Sequence, residues 1–249
     1  MTAYPALAKA AGPGRLTPYF QPIMRLADGA FVGLEALARW RRDDGTVAEA
    51  ASFLPKGSWT DEFAEVGRAV AADAIRQFAH WRKDKAEPIS LAVNIIGDDL
   101  MSGAALRLAA EASLLGLPQG ALVMELTEHH ALADIRRAGD ALTSLRMRGV
   151  RIALDDFGTG HSSLAWLARL PIDAIKIDQS FVAGINELGA ERTIVGALIT
   201  MARELGLETI AEGIETESQR SALDARGCAF GQGRLYAMPL PAEEAFKLG

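Results

Sequence analysis

The chain has 249 residues, 49% of them apolar and 23% charged, with a formal net charge of −6 and one cysteine, Cys228. The length suits one eight-stranded α/β barrel of roughly 250 residues, although two small domains also fit it. The acidic balance excludes a broad basic surface and hence non-specific DNA binding, and the lone cysteine excludes an intrachain disulfide and a cysteine-cluster zinc site. Cys228 reads as a core or near-core thiol, in keeping with a reducing compartment. No signal-type apolar region and no apolar run of about 18 residues occurs, so a cytoplasmic chain without a membrane segment is expected.

Residues 1–16, rich in Ala, Gly and Pro, read as a linker, with 17–249 as the domain; such a start suggests a module of a longer protein. Next come YFQPIMRL and FVGLEALARW, separated by Ala27-Asp28-Gly29-Ala30. Two apolar runs joined through Asp-Gly predict an antiparallel hairpin. The second run carries Glu35 in apolar surroundings with Arg39 four residues on; the carboxylate either pairs with Arg39 or meets an ion. Residues 43–61 read as loop with a short helical turn, and Glu62 to Lys83 has the spacing of a core-facing helix through Phe63, Val66, Val70, Ala74, Phe78 and Trp81.

A unit then recurs in which an apolar strand closes on a polar residue and is followed by an amphipathic helix. The strand of residues 89–93 ends in Asn94, 122–124 in Glu125, 152–154 in Asp155 and Asp156, 172–175 in Lys176, 209–211 in Glu212, and 228–230 runs into Gln232. Helices are predicted at 99–115, 130–148, 162–169, 190–205 and 216–226, several closed by a glycine such as Gly149, Gly206 or Gly227. Alternation of this kind implies parallel pairing, and about eight strands over this length favour closure into a barrel over an open doubly wound sheet. In such barrels the C-terminal strand ends carry the chemistry. The polar residues that close each run all fall there.

Two adjacent acids at a strand end suit a hard divalent cation, whereas an isolated Asp-Asp pair is more often a capped turn and a solvated acid. The company of Glu35, Glu125, Glu212 and the Asn94 amide shifts the balance toward an oxygen-rich Mg²⁺ or Mn²⁺ site. His80, His129, His130 and His161 lie off these strand ends and read as surface or loop residues. A carboxylate shared by two ions about 3.5–4 Å apart forms the clamp used for phosphoester displacement, and Asp155 is the natural bridge. Lys176 is either a neutralising salt-bridge partner or an ammonium that positions water or meets phosphoryl charge. The planar fork of Arg39 suits a phosphate oxygen.

These residues lie in ordered motifs: QPI at 21–23, Glu35-Ala36-Leu37, VN at 93–94, ELTE at 125–128, DDFGTG at 155–160, LPIDAIKID at 170–178, IAEGIET at 210–216 and GQG at 231–233. Together they closely resemble the EAL family of cyclic di-GMP phosphodiesterases, from about Tyr19 to Pro241. The resemblance implies an α/β fold, a modified TIM-like (β/α)8 barrel with one antiparallel strand. It implies metal-dependent hydrolysis of cyclic di-GMP to the linear dinucleotide pGpG with two Mg²⁺ or Mn²⁺ ions. Glu35, Asn94, Glu125 and Asp155 correspond to ligands of one ion; Asp155, Asp156 and Glu212 correspond to ligands of the other. Lys176 corresponds to the residue that holds the nucleophilic water, making Lys176, Glu212 and Glu35 the catalytic set. Gln21, Arg39, Asp178, Glu215 and Gln232 correspond to substrate contacts, and Glu128 to the glutamate that anchors the DDFGTG loop. The family implies a homodimer and an upstream GGDEF or sensor domain.

The chain departs from the family pattern at Gly57-Ser58 after Phe53-Leu54-Pro55, at Ile95-Ile96 after Asn94, at His161 and at Ala237-Met238. None of these removes a metal ligand or the lysine. The competing expectations are a non-catalytic cyclic di-GMP receptor and a regulatory module that acts through protein contacts. The intact acid set favours the enzyme, because a buried acidic cluster without function would be destabilising.

Overall fold

The computed structural model describes residues 12–53, 61–83, 85, 88–127, 134–158 and 164–249. Nine strands are present among them: β1 (Gly14–Arg25), β2 (Phe31–Arg42), β3 (Val47–Glu49), β4 (Ser90–Ile95), β5 (Leu122–Thr127), β6 (Arg151–Phe157), β7 (Ala174–Ile177), β8 (Glu208–Ala211) and β9 (Phe230–Gly231). The hydrogen-bonded order β1-β9-β8-β7-β6-β5-β4-β2 closes through β1–β2, giving an eight-stranded barrel with β3 as an extra strand on β2. The predicted barrel is therefore present. Its antiparallel member is β1, which runs against both β2 and β9, while neighbouring strands from β2 round to β9 are parallel.

The Asp-Gly turn makes the predicted hairpin. Gly29 takes φ 70°, Ala30 N donates to Asp28 Oδ1, and Arg25 N donates to Ala30 O. β1 is longer than the run read from sequence and takes up Gly14 to Leu16, the last three residues of the segment read as linker. Residues 1–11 lie outside the described part of the chain.

The helices are α1 (Ala50–Phe53), α2 (Asp61–Arg82), α3 (Gly97–Met101), α4 (Ala104–Leu114), α5 (Ile135–Arg146), α6 (Leu164–Leu167), α7 (Gln179–Ala183), α8 (Ala190–Glu204), α9 (Glu217–Asp224) and α10 (Ala242–Ala245). The α2 stripe buries Val66, Val70, Ala74 and Phe78 as its spacing requires. The helix predicted over 99–115 is two helices. Gly103 adopts φ 72° between them, a left-handed conformation that a continuous α-helix cannot contain. In the segment 43–61, read as loop with a helical turn, the turn is α1, and β3 precedes it because Val47–Glu49 pairs with Arg39–Arg41.

Two apolar layers result. The outer one packs the helices on the barrel, through residues such as Leu34, Phe78, Leu91, Met124, Leu142, Ile152 and Ile175. The inner one is a smaller cluster of Ile23, Ala92, Val123, Ala153, Ala174 and Ile210, joined by Val32 and Phe230. Cys228 is buried in a third cluster with Leu26, Ile199 and Leu223, and burial pushes its thiol up to about 11. Among the described residues no helix is long and apolar enough to cross a membrane.

Candidate active site

Side chains two residues apart on a strand share a face. Stepping two residues beyond the inner cluster leads from Ala92 to Asn94, Val123 to Glu125, Ala153 to Asp155, Ala174 to Lys176, Ile210 to Glu212 and Phe230 to Gln232. On the antiparallel β1 the step runs backwards, from Ile23 to Gln21, and Gln21 stands opposite Glu35 of β2. A polar layer thus lies directly above an apolar one, at the C-terminal ends of the parallel strands.

Lys176 is the hub of that layer. Its side chain is 0% exposed, and its Nζ lies 2.7 Å from Glu212 Oε1, 2.9 Å from Glu125 Oε2, 3.1 Å from Asp155 Oδ1 and 3.3 Å from Glu35 Oε2. Burial opposes its charge, but the four carboxylates outweigh burial and hold the ammonium well above its ordinary range. Gln232 Nε2 donates to Glu35 Oε2 at 2.5 Å and to Glu212 Oε1 at 3.2 Å, and Asn94 Nδ2 donates to Glu35 Oε1 at 3.3 Å. No ion pair joins Glu35 to Arg39 among the described residues.

One ammonium cannot neutralise four acids. Burial, followed by the charge of Glu35, pushes the Glu125 carboxyl well above the usual carboxylate range. Burial likewise raises Glu212 to about 8, with Asp155 and Glu35 adding to the rise and Lys176 opposing it. Glu35 goes the other way: burial would raise it, but Lys176 and the hydrogen bonds it accepts keep it low. Two buried oxygens of the layer, Glu125 Oε1 and Gln232 Oε1, have no hydrogen-bond partner among the described residues.

Asp155 and Asp156 follow a different rule. Successive strand residues normally face opposite ways, but the β6–β7 register slips between Leu154 and Phe157 and Asp156 takes φ 55°. Asp156 is the only non-glycine residue with positive φ among those described. Asp155, Asp156 and Glu212 each place an oxygen within 4.8 Å of the others, an arrangement able to hold a metal ion.

The expected substrate contacts lie round this layer. Arg39, whose side chain is 12% exposed, donates to Ala38 O and stands 3.9 Å from Glu49. Gln21 donates to Ala237 O at 3.1 Å, tying β1 to the segment that follows β9. Asp178 caps α7, accepting from Ser180 N, while Glu215 pairs with Arg234 at 2.6 Å. Glu128, His129, His130, His161, Leu54-Pro55 and Gly57-Ser58 lie outside the described residues; His80 is exposed on α2. Sequence reasoning missed Arg234, whose only signal was its place beside the GQG motif at 231–233, and gave Gly233 no role of its own within that motif. A Cβ on Gly233 would overlap the backbone of Ile214, so Gly233 lets the backbone after Gln232 pass the segment that carries Glu215.

Comparison with known proteins supplies relatives. A cyclic di-GMP phosphodiesterase of Pseudomonas aeruginosa, PA2567, is 35% identical over 226 residues, covering 90% of this chain and 38% of the relative. A solved structure of the PaMucR phosphodiesterase in complex with c-di-GMP superposes with a TM-score of 0.84 at 33% identity, covering 92% of this chain and 94% of that one. A Klebsiella pneumoniae BlrP1 complex with manganese and cyclic di-GMP superposes with a TM-score of 0.77 at 26% identity, covering 90% of this chain and 56% of that one. The chain spans about a third of the length of the curated relatives it matches. The family model described as the EAL domain matches residues 6–239, and the chain belongs to that family.

Proposed function

We propose that this chain is a metal-dependent phosphodiesterase that hydrolyses cyclic di-GMP to the linear dinucleotide pGpG. The observation that carries the reading is the convergence of Glu35, Glu125, Asp155 and Glu212, from four strands, on one buried layer with Lys176. The similarity to a cyclic di-GMP phosphodiesterase and to structures holding that nucleotide, one of them with manganese, supports it.

The donor set fits hard divalent cations: every candidate ligand atom is an oxygen, the layer holds more negative charge than Lys176 answers, and Glu125 Oε1 is an orphaned buried acceptor. Glu35, Asn94, Glu125 and Asp155 would hold one Mg²⁺ or Mn²⁺; Asp155, Asp156 and Glu212 would hold a second. When bound, such ions supply Lewis acidity that activates water and neutralises phosphoryl charge.

The chain's own groups do the rest. Lys176 Nζ, fixed among carboxylates with its proton secured, orients the attacking water and faces the charge that develops on phosphorus. Arg39 offers its fork to a phosphate oxygen. Gln21, Asp178, Glu215 and Gln232 position the nucleotide. Water adds to phosphorus, one P–O ester bond breaks, and the ring opens to a chain with one terminal phosphate and one terminal hydroxyl.

The domain itself is taken as 17–249, with 1–16 leading into it. The likeness to MucR, a bifunctional diguanylate cyclase/cyclic di-GMP phosphodiesterase of which the chain covers 34%, supports an accompanying GGDEF or sensor domain, and the family resemblance supports its lying upstream and a homodimer working in the cytoplasm. The reading is tested by Glu35→Ala, which removes a ligand of the first ion. Hydrolysis should be abolished, and near-normal turnover in that variant would overturn the assignment.

A further inference from the structure

The start of α9 does more than cap a helix. Thr216 and Gln219 form a capping box, in which Thr216 Oγ1 accepts from Gln219 N at 3.2 Å and Gln219 Oε1 accepts from Thr216 N at 3.0 Å. That reciprocal pair is all such a box requires. Glutamine is mostly an exposed residue, yet Gln219 is 8% exposed. Its Oε1 accepts a second bond, from Glu215 N at 2.8 Å, and its Nε2 reaches Val182 O of α7 at 3.5 Å. One buried amide therefore gathers the backbone of Glu215 and Thr216 and sets it against the neighbouring helix.

These bonds lie between two of the expected nucleotide contacts. Asp178 follows β7 and caps α7, and Glu215 lies in the segment after β8. Up to Ile214 that segment is fixed along the sheet: Glu212 N donates to Ile177 O and Ile214 N to Gln232 O, both at 3.0 Å. A Cβ on Gly213 would overlap Gln179 Cβ, so the segment lies directly on the first turn of α7. The next two backbone donors, Glu215 N and Thr216 N, turn from that ladder to Gln219 Oε1. The backbone position of Glu215, and with it the spacing of the Glu215 and Asp178 carboxylates, thus rests on Gln219.

We propose that Gln219 is a positioning residue for the nucleotide: by locking the Glu215 backbone to α7, it sets the spacing of the two carboxylates that receive one nucleotide. The proposal rests on the reading of Asp178 and Glu215 as substrate contacts. Asp155, Lys176 and Glu212 are held by strand pairing and by their own ion pairs, so Gln219 acts on nucleotide affinity and KM and leaves the metal layer and the chemical step alone.

Calorimetric titration of the full chain with cyclic di-GMP in excess chelator, beside steady-state kinetics in Mn²⁺, tests it. Gln219→Met, which keeps the bulk and loses both acceptor and donor, should weaken nucleotide binding and raise KM about tenfold, ~1.4 kcal/mol, with kcat changed no more than about threefold. Gln219→Glu keeps an acceptor for both amides and should restore affinity to within about threefold of wild type. Thr216→Ala removes the other half of the capping box and should lower Tm with affinity unchanged, which separates positioning from capping. Should Gln219→Met fail to fold, Gln219→Ala takes its place with the same losses expected. Wild-type affinity in the Met or Ala variant, no rescue by glutamate, an equal loss in Thr216→Ala, or a fall in kcat matching the rise in KM overturns the proposal. Affinity is read without turnover, so a wild-type chain that binds cyclic di-GMP and makes no product fails the hydrolytic reading, and the variant comparison still decides this one. A wild-type chain that binds no nucleotide, with or without metal, overturns both.

Discussion

Asp155 and Asp156 are adjacent in the chain, yet each brings an oxygen within 4.8 Å of the other and of Glu212. A regular strand would send one of them into the outer helical layer. The register slip before Phe157 and the φ of 55° at Asp156 prevent that. The left-handed conformation is open to Asp and Asn and costly for β-branched residues. Asp156→Asn should therefore keep the wild-type Tm and lose metal-dependent hydrolysis, whereas Asp156→Val should also lower stability by about 1–3 kcal/mol. Thermal melts beside activity assays separate the two effects. Equal melts for both variants would contradict the strain argument.

Lys176 is the next point of leverage. Lys176→Met leaves four carboxylates round an uncharged side chain, and removing one partner from a buried charged cluster typically costs about 3–5 kcal/mol. The variant should fold less stably without metal and recover part of that loss with saturating Mg²⁺. Turnover should drop by about a hundredfold or more, with nucleotide affinity changed much less. Equal losses in turnover and affinity would move Lys176 from catalysis to binding.

Stability should also depend on pH in a definite direction. Folded Glu212 keeps its proton up to about 8, while the unfolded carboxyl releases it near 4.5. Between these values the folded state holds more protons, so its stability falls as pH rises. Glu125 acts in the same sense. The low value of Glu35 contributes stability already present above its unfolded value, and Lys176 stays charged throughout this window. The metal-free protein should melt at lower temperature at pH 8 than at pH 5.5. Saturating Mn²⁺ or Mg²⁺, by replacing the retained protons, should flatten or reverse that trend, and a melt rising with pH in chelator would contradict the account.

Gly233 ties the site to the backbone beneath it. Its φ of 154° and the overlap that any Cβ there would make with Ile214 O and N leave no space for a side chain. Gly233→Ala should cost about 3 kcal/mol, or roughly 6–12 °C in Tm for a domain of this size. A melt within two degrees of wild type, about 1 kcal/mol or less, would show that the segment yields.

Much of this was legible in the sequence, for physical reasons. Parallel strands buried on both faces read as apolar runs, and the polar residue closing each run stands out, so Asn94, Glu125, Asp155, Lys176, Glu212 and Gln232 could be placed on one barrel end from sequence alone. Elements decided by tertiary pairing were not legible. β3 is three residues long and exists because β2 accepts it, and α7 and α10 are single turns without a periodic stripe. The bulge at Asp156 has no sequence signal beyond the tolerance of Asp for positive φ. Lys176 was readable as a neutralising partner, but its simultaneous contact with four acids required strand register.

The central claim is that the carboxylate layer is a metal-dependent hydrolytic centre. It is tested most directly by incubating the purified chain with cyclic di-GMP in Mg²⁺ or Mn²⁺, and again with excess chelator, while following products by chromatography. The account predicts the linear dinucleotide with metal and its absence with chelator. Tight nucleotide binding with no product in either metal, or product formation indifferent to chelator, would contradict it.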